Sequence, residues 1–259
     1  MTGSAPVFTL KLAETDADLV AAQRLRYRVF VEELGGSGDM VDHENRLERD
    51  RFDPYFDHLI LIDEARSVPP EDRVVAVYRL LRCDQAKQIG QFYSEDEFDL
   101  STLRRSERKL LELGRSCLHA DYRGGSAMFH MWQGLADYVA RHEVEILFGT
   151  ASFHGTDIAA LAEPLSLLYH RHLAPEDLRV QAHSWHYQPM NLIPEARIDR
   201  RRATLNTPAL IKAYLRLGGF VGDGAYVDHV FNTTDVCLVM DTERLNTRQK
   251  SLYMRGATA

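Results

Sequence analysis

Residues 109–138 read KLLELGRSCLHADYRGGSAMFHMWQGLADY. The stretch opens on an apolar run that carries two charges, Glu112 and Arg115, three residues apart. A short turn follows, Arg123-Gly124-Gly125-Ser126, and then a helical pattern built on Met128, Phe129, Met131, Trp132, Leu135 and Tyr138. The order is strand, glycine turn, helix. Such a unit can hold a phosphate, because the open N–H groups of a helix N-terminus and the helix dipole both point at an anion. The rest of the chain reads as scaffold and substrate pocket around it.

On the N-terminal side, Val7–Leu12 reads as a strand. Thr15 with Asp18 three residues on is a partial capping box. It opens a helix to about Glu33, with Leu19, Ala22, Leu25, Val29 and Phe30 on one face. Gly35-Gly36-Ser37-Gly38 ends that helix, and an acid-rich polar loop follows, carrying Asp42, Glu44, Glu48, Asp50 and Asp53. His58–Asp63 and Val74–Leu81 read as a hairpin. Residues 84–107 show no clear period apart from a short helix at Leu103–Arg108. On the C-terminal side, a strand at Glu145–Ala151 precedes a helix at Asp157–His172, and a further strand is expected at Arg179–Trp185. Thr207-Pro208 opens a helix that Gly218-Gly219 stops, and strands at Phe220–Val227 and Asp235–Asp241 close the chain. The pattern is α/β: one domain over residues 1–259, with a central mixed β-sheet flanked by helices.

The composition narrows the function. A formal net charge of −7 argues against general nucleic-acid binding, which needs basic surface. Three cysteines, Cys83, Cys117 and Cys237, form no CxxC and suit a reducing cytosol without a zinc site. The first residues show no charged leader before an apolar core. No apolar run approaches the ~18 residues of a membrane span, which leaves peripheral contact with the inner membrane open. His170, His172, His183 and His186 lack a carboxylate or cysteine at ligand spacing, so no metal is expected. His58 and Asp63 have an odd separation on a strand and point to opposite faces.

The strand, Arg-Gly loop and helix look like motif A of the GNAT acyltransferase fold. ELGRSCLHADYRGG together with LIKAYLRLGGFVGDGAYVDHVFNTTDVCLVMD, residues 210–241, resembles the ornithine N-acyltransferases that begin ornithine-lipid synthesis. The likeness covers roughly residues 8–245. A more distant likeness to acyl-homoserine-lactone synthases rests on Arg28-Val29-Phe30, Asp53, Asp57, Arg79 within Val75–Leu81, and Glu112-Leu-Gly-Arg115. The resemblance implies a GNAT-like sheet whose strands splay at the acyl-donor site. It implies transfer of a 3-hydroxyacyl chain from acyl carrier protein (ACP) to the α-amino group of ornithine, in the cytoplasm. The donor's phosphopantetheine thioester is then a co-substrate, and no separate cofactor is needed. One departure stands out. The usual loop is Gln/Arg-x-x-Gly-x-Gly/Ala, whereas counting from Arg123 the last two set positions are Ser126 and Met128. A bulky last position suits the single phosphodiester of ACP better than the pyrophosphate of coenzyme A.

Roles follow from this chemistry. Only an amine's free base attacks a thioester, and Glu112 is the candidate general base. Ideal alternation puts Glu112 and Arg115 on opposite faces of a strand, and a β-bulge at Gly114 would bring them into one cleft. The alternative for Glu112 is a structural ion pair with Arg79 or Arg28. Arg79 or Arg115 would fork ornithine's carboxylate, and Asp53 and Asp57 would hold its distal ammonium. Asp42 and Glu44 are further candidates for that ammonium. Arg123, Gly124, Gly125 and Ser126 would bind the phosphopantetheine phosphate. Arg200, Arg201 and Arg202 form a basic run that would steer acidic ACP, with an exposed loop as the alternative. Met128, Phe129, Trp132, Leu165, Leu168 and Tyr169 are candidates for an acyl groove or for plain core. Three rival functions stay open. They are the same transfer onto glutamine, acyl-homoserine-lactone synthesis from S-adenosylmethionine, and a non-catalytic protein that binds acyl-ACP or membranes.

Overall fold

The computed structural model describes residues 5–245. In chain order the strands are β1 (Phe8–Leu12), β2 (Asp57–Asp63), β3 (Val74–Arg82), β4 (Phe98–Asp99), β5 (Leu110–Leu118), β6 (Ile146–His154), β7 (Gln181–Ala182), β8 (Tyr187–Gln188), β9 (Phe220–Val221), β10 (Ala225–Asp228) and β11 (Thr233–Asp241). The α-helices are α1 (Asp16–Arg26), α2 (Cys83–Ile89), α3 (Ser101–Arg105), α4 (Ala127–His142), α5 (Ile158–His172), α6 (Arg200–Asn206) and α7 (Ala209–Arg216). The described chain divides into two compact units, residues 5–89 with 113–143 and residues 90–112 with 144–245.

In the first unit β1, β2 and β3 form an antiparallel meander, and β5 follows β3 in strand order. The capping box expected at Thr15 is present: its hydroxyl accepts the Asp18 N–H at 3.1 Å, and the Asp18 carboxylate accepts the Thr15 N–H at 3.3 Å. The helix continues to Glu33, but from Tyr27 onward it is a π-helix. Neighbours on a strand point to opposite faces. Ile60 on β2 packs with Ala21, Ala22 and Leu25 of α1. Leu59, the preceding residue, faces α4, where a Cβ on Gly134 would lie 3.3 Å from its Cδ1 and 2.4 Å from Leu10 Cδ2. The two helices therefore cover opposite faces of this sheet, and the missing side chain at residue 134 lets α4 sit down on β1 and β2.

In the second unit β5 pairs in parallel with β6 over Leu110↔Ile146, Leu111↔Leu147 and Glu112↔Phe148. β6 continues to His154, paired antiparallel with β11 along its whole length. β10 and β8 follow β11, and β9 also pairs with β11. Parallel and antiparallel neighbours thus occur in one sheet, the mixed arrangement the sequence suggests. The strand expected at Arg179–Trp185 shrinks to β7, paired with β4. The strand expected at Phe220–Val227 breaks into β9 and β10. Gly224 lies between them at φ 79°, and a Cβ there would overlap the Tyr187 ring at 2.1 Å. Asp157 caps α5 by accepting the N–H groups of Ala159 and Ala160. Among the described residues no helix is long and apolar enough to cross a membrane.

Candidate active site

Six ionised side chains gather in the first unit: Arg26, Arg79 and Arg115 with Glu48, Asp50 and Asp53. They form two layers. The floor is buried, with side-chain exposures of 0% for Arg26 and Arg79, 3% for Asp53 and 7% for Glu48. In the floor, Arg26 Nη1 and Arg79 Nη1 both donate to Asp53 Oδ1, at 2.6 and 2.7 Å. Gln23 Nε2 donates to Asp53 Oδ2 at 2.9 Å, and Arg26 Nε donates to Glu48 Oε2. The rim is Asp50 and Arg115, 18% and 17% exposed. Arg115 Nε donates to Glu48 Oε1 at 3.0 Å, its Nη2 reaches Asp50 Oδ2 at 3.4 Å, and Arg79 Nη1 holds Asp50 at 2.7 Å. The Phe30 ring faces the Arg115 guanidinium at 5.9 Å.

Charge pairing decides the protonation states here. Burial resists ionisation of Glu48, but Arg115 and Arg26 outweigh it and hold the carboxyl at about 2. Burial likewise resists ionisation of Asp53, and Arg26 and Arg79 hold it well below the usual carboxylate range. His58, opposite Arg79 on β2, is pushed down to about 4 by burial and is neutral, its Nε2 donating to the Asp53 carbonyl at 3.0 Å.

Arg115 has φ 49°, a left-handed conformation inside a strand. The irregularity foreseen at Gly114 thus falls on the arginine itself, where a Cβ makes it costly. Three members of the floor escape a reading of the sequence, which picks Arg28 instead of Arg26, passes over Gln23 and gives Glu48 no role within the acidic loop. The Arg28 guanidinium reaches Asp72 at 4.0 Å, away from the cluster. Gln23 and Arg26 are spaced i, i+3 on α1, and that polar pair beside the apolar face is the signal that would have found them.

The Arg-Gly turn lies in the same unit, at the N-terminus of the 16-residue helix α4. Gly124 has φ 77°, a conformation that favours glycine. Ser126 is the N-cap, and its side chain does not bond to the first helical turn. Arg123 pairs with Glu33 and donates to the Leu118 carbonyl at 3.1 Å. In this state its guanidinium braces the turn. Cys117 on β5 is buried, and burial pushes its thiol up to about 12, so it is packing rather than a nucleophile.

Glu112 belongs to the second unit and is 1% exposed. Its carboxylate accepts the Tyr93 N–H at 2.7 Å, the Ser94 N–H at 2.6 Å and the Ser94 hydroxyl. These donors open the 3-10 turn Tyr93–Asp96. Thr150 on β6 links the Ser94 hydroxyl, at 3.2 Å, to Glu97 Oε2, at 3.1 Å. Oxygens of Glu97, Asp228 and Asp235 lie within 4.8 Å of one another. Sequence separation hides these three acids from any reading by spacing.

The remaining sequence candidates scatter. Asp57 accepts from the Tyr138 hydroxyl and from Arg82 Nη1, apart from the six-residue cluster. Asp42 is held by Asn45. Arg202 pairs with Glu163, and Arg200 reaches Glu195 at 3.7 Å. Arg201 is exposed and makes no ion pair among the described residues. Leu165 and Leu168 are core at 0% and 1% exposure, whereas Phe129 is 55% exposed. His170 and His183 bond to the carbonyls of Ile193 and Glu95.

Residues 25–133 match the family described as Acetyltransferase (GNAT) domain. Among solved structures, the AHL synthase LasI is similar with a TM-score of 0.53 and 14% identity, covering 97% of each chain. That likeness concerns the fold alone. Among curated proteins, an L-ornithine N(alpha)-acyltransferase of Rhodobacter capsulatus is 58% identical over 96% of this chain and 95% of its own length. One of Brucella abortus is 42% identical over 96% of this chain and 89% of its own. One of Agrobacterium fabrum is 38% identical over 94% and 84%. The chain belongs to the L-ornithine N(alpha)-acyltransferase family.

Proposed function

We propose that this enzyme moves a 3-hydroxyacyl chain from ACP to the α-amino group of L-ornithine, giving a lyso-ornithine lipid. The observation that carries the reading is the rim of the charged cluster. A half-buried guanidinium and a carboxylate, Arg115 and Asp50, stand on a buried floor that fixes both. An amino acid brings the complementary pair. Arg115 takes the substrate carboxylate and Asp50 an ammonium, each exchanging its loose 3.4 Å contact for a closer charged partner. Arg79 acts beneath, by fixing Asp50. Asp53 serves the floor, and Asp57 has a separate role with Tyr138.

The Arg-Gly turn supports the donor half of the reading. The backbone N–H groups at the start of α4, with Gly124, Gly125 and Ser126, take the single phosphodiester of a phosphopantetheine arm, and Arg123 swings from Glu33 to join them. The thioester is attacked directly by the amine. Glu112 receives the proton the amine loses, the C–N bond forms, and the C–S bond breaks with the sulfur leaving on the arm as a thiolate that takes its proton from solvent. Arg201 on α6 is the member of the basic run available to an acidic carrier. Reaction in the cytoplasm with a peripheral approach to the membrane fits a substrate on ACP and an amphiphilic product.

Incubation of the purified protein with 3-hydroxyacyl-ACP and ornithine, glutamine or S-adenosylmethionine, each separately, tests the reading. Turnover with ornithine alone supports it. Turnover with glutamine alone or S-adenosylmethionine alone replaces the acceptor, equal turnover with a coenzyme A thioester replaces the donor, and no turnover with any amine leaves a binding protein.

A further inference from the structure

Glu112 is buried, so a proton delivered to it needs an exit. The second unit contains a connected path of side-chain oxygens. The Ser94 hydroxyl donates to Glu112 Oε1, Thr150 Oγ1 lies 3.2 Å from Ser94 Oγ, and the same Thr150 oxygen lies 3.1 Å from Glu97 Oε2. Ser94 and Glu97 are buried at 0% and 8% exposure. Each hydroxyl has one proton and two lone pairs, so it can receive from one side while giving to the other. At the far end Glu97 shares its corner with Asp235, 3% exposed, and Asp228, half-buried, their oxygens within 4.8 Å. Three carboxylates gathered this closely offer a single proton several acceptor oxygens. The corner is thus a proton acceptor, and Asp228 connects it to water.

We infer that Ser94 and Thr150 form a proton relay that carries the amine's proton from Glu112 to the acid corner at Glu97. This rests on Glu112 being the base. When the amine attacks, its proton bonds to the Glu112 carboxylate. Ser94 then takes the proton from Glu112 and passes its own to Thr150 Oγ1, and Thr150 passes its own to Glu97 Oε2. Three O–H bonds form and three break, both hydroxyls are restored, and Glu112 returns to its charged form. Glu97 is left protonated and releases to solvent through Asp228. Before the transfer both hydroxyls turn, Ser94 from Glu112 toward Thr150 and Thr150 from Ser94 toward Glu97, and the transfer itself leaves them pointing as they began. Ser94 and Thr150 touch no substrate and act through Glu112.

The variants Thr150→Val, Thr150→Ser and Glu112→Gln separate the relay from the base beneath it. Valine has threonine's shape without the hydroxyl, and serine keeps the hydroxyl without the methyl. With ornithine and 3-hydroxyacyl-ACP, kcat of Thr150→Val should fall about 10- to 100-fold, within the range of a lost proton-transfer step, at unchanged KM. Thr150→Ser should stay near wild type. The wild-type solvent deuterium effect should require more than one proton in flight, and that of Thr150→Val one. Wild-type kcat in Thr150→Val alongside an inactive Glu112→Gln would overturn the relay and leave the base intact. Equal losses in the valine and serine variants would also overturn it, as packing alone would then explain the position. Full turnover in folded Glu112→Gln, checked by thermal melting, would remove the base and the relay together.

Discussion

Arg115 combines strain and charge in one residue. Its left-handed φ of 49° costs on the order of 1 kcal/mol for a residue with a Cβ. The ion pairs to Glu48 and Asp50 hold it there. Lysine at this position keeps the charge and loses the planar fork that matches a carboxylate. We expect Arg115→Lys to raise KM for ornithine about 10-fold, the loss of one good charged hydrogen bond, with a smaller change in kcat. Steady-state kinetics at saturating acyl-ACP would show it, and an unchanged KM would move the substrate carboxylate elsewhere. Glu112 and Arg115 are legible as charges in an apolar strand. Their partners are not, because Glu48 and Asp50 reach Arg115 across more than sixty positions, and nothing local distinguishes them from Asp42 and Glu44 in the same acidic loop.

Secondary-structure elements follow the sequence most closely where a cap or a sustained period marks them. The Thr15 box, the helix beginning at Asp157 and the helix after the Arg-Gly turn all appear where expected. Elements fade where tertiary contacts decide, as at β7 and the break between β9 and β10, where the Tyr187 ring rather than local propensity stops the strand. The fit of α4 on β1 makes a strict demand at residue 134. Gly134→Val places a methyl-bearing carbon 2.4 Å from Leu10 Cδ2, and overpacking of this kind costs about 1–3 kcal/mol. Thermal melting should show a clear loss. Melting equal to wild type would mean that α4 can lift from the sheet without penalty. On α6, Arg201→Glu reverses a charge that holds no partner among the described residues. It should weaken ACP binding at low salt and do so less at high salt, without lowering stability. Titration calorimetry at two ionic strengths measures both effects, and equal affinity at low salt would take α6 out of the docking surface.

For the molecule as a whole, the charged floor sets a limit on the acid side. His58 sits near 4 when folded against 6.5 as a model group, so the unfolded chain takes up a proton first as pH falls through that window. Glu48 near 2 against 4.5 extends the same sense of change further down. Stability is therefore full above about pH 6.5 and drains on acidification, by up to about 1.4 kcal/mol per pH unit for each group. Melting temperatures from pH 8 to 4.5 should fall in the wild type and fall less steeply in His58→Gln, where burial still holds His119, His142 and His172 below the usual imidazole range. A level wild-type profile would show that the imidazole is not buried neutral. Finally, β5 donates residues 110–112 to one unit and 113–118 to the other, so each unit is assembled from separated stretches of sequence. During synthesis on the ribosome, the first unit therefore waits for Arg115 and for α4 to emerge, after all of residues 90–112 have already left the exit tunnel. A nascent chain whose first 112 residues have emerged would expose Arg26, Asp53 and Arg79 without Arg115, the state in which a chaperone would meet it.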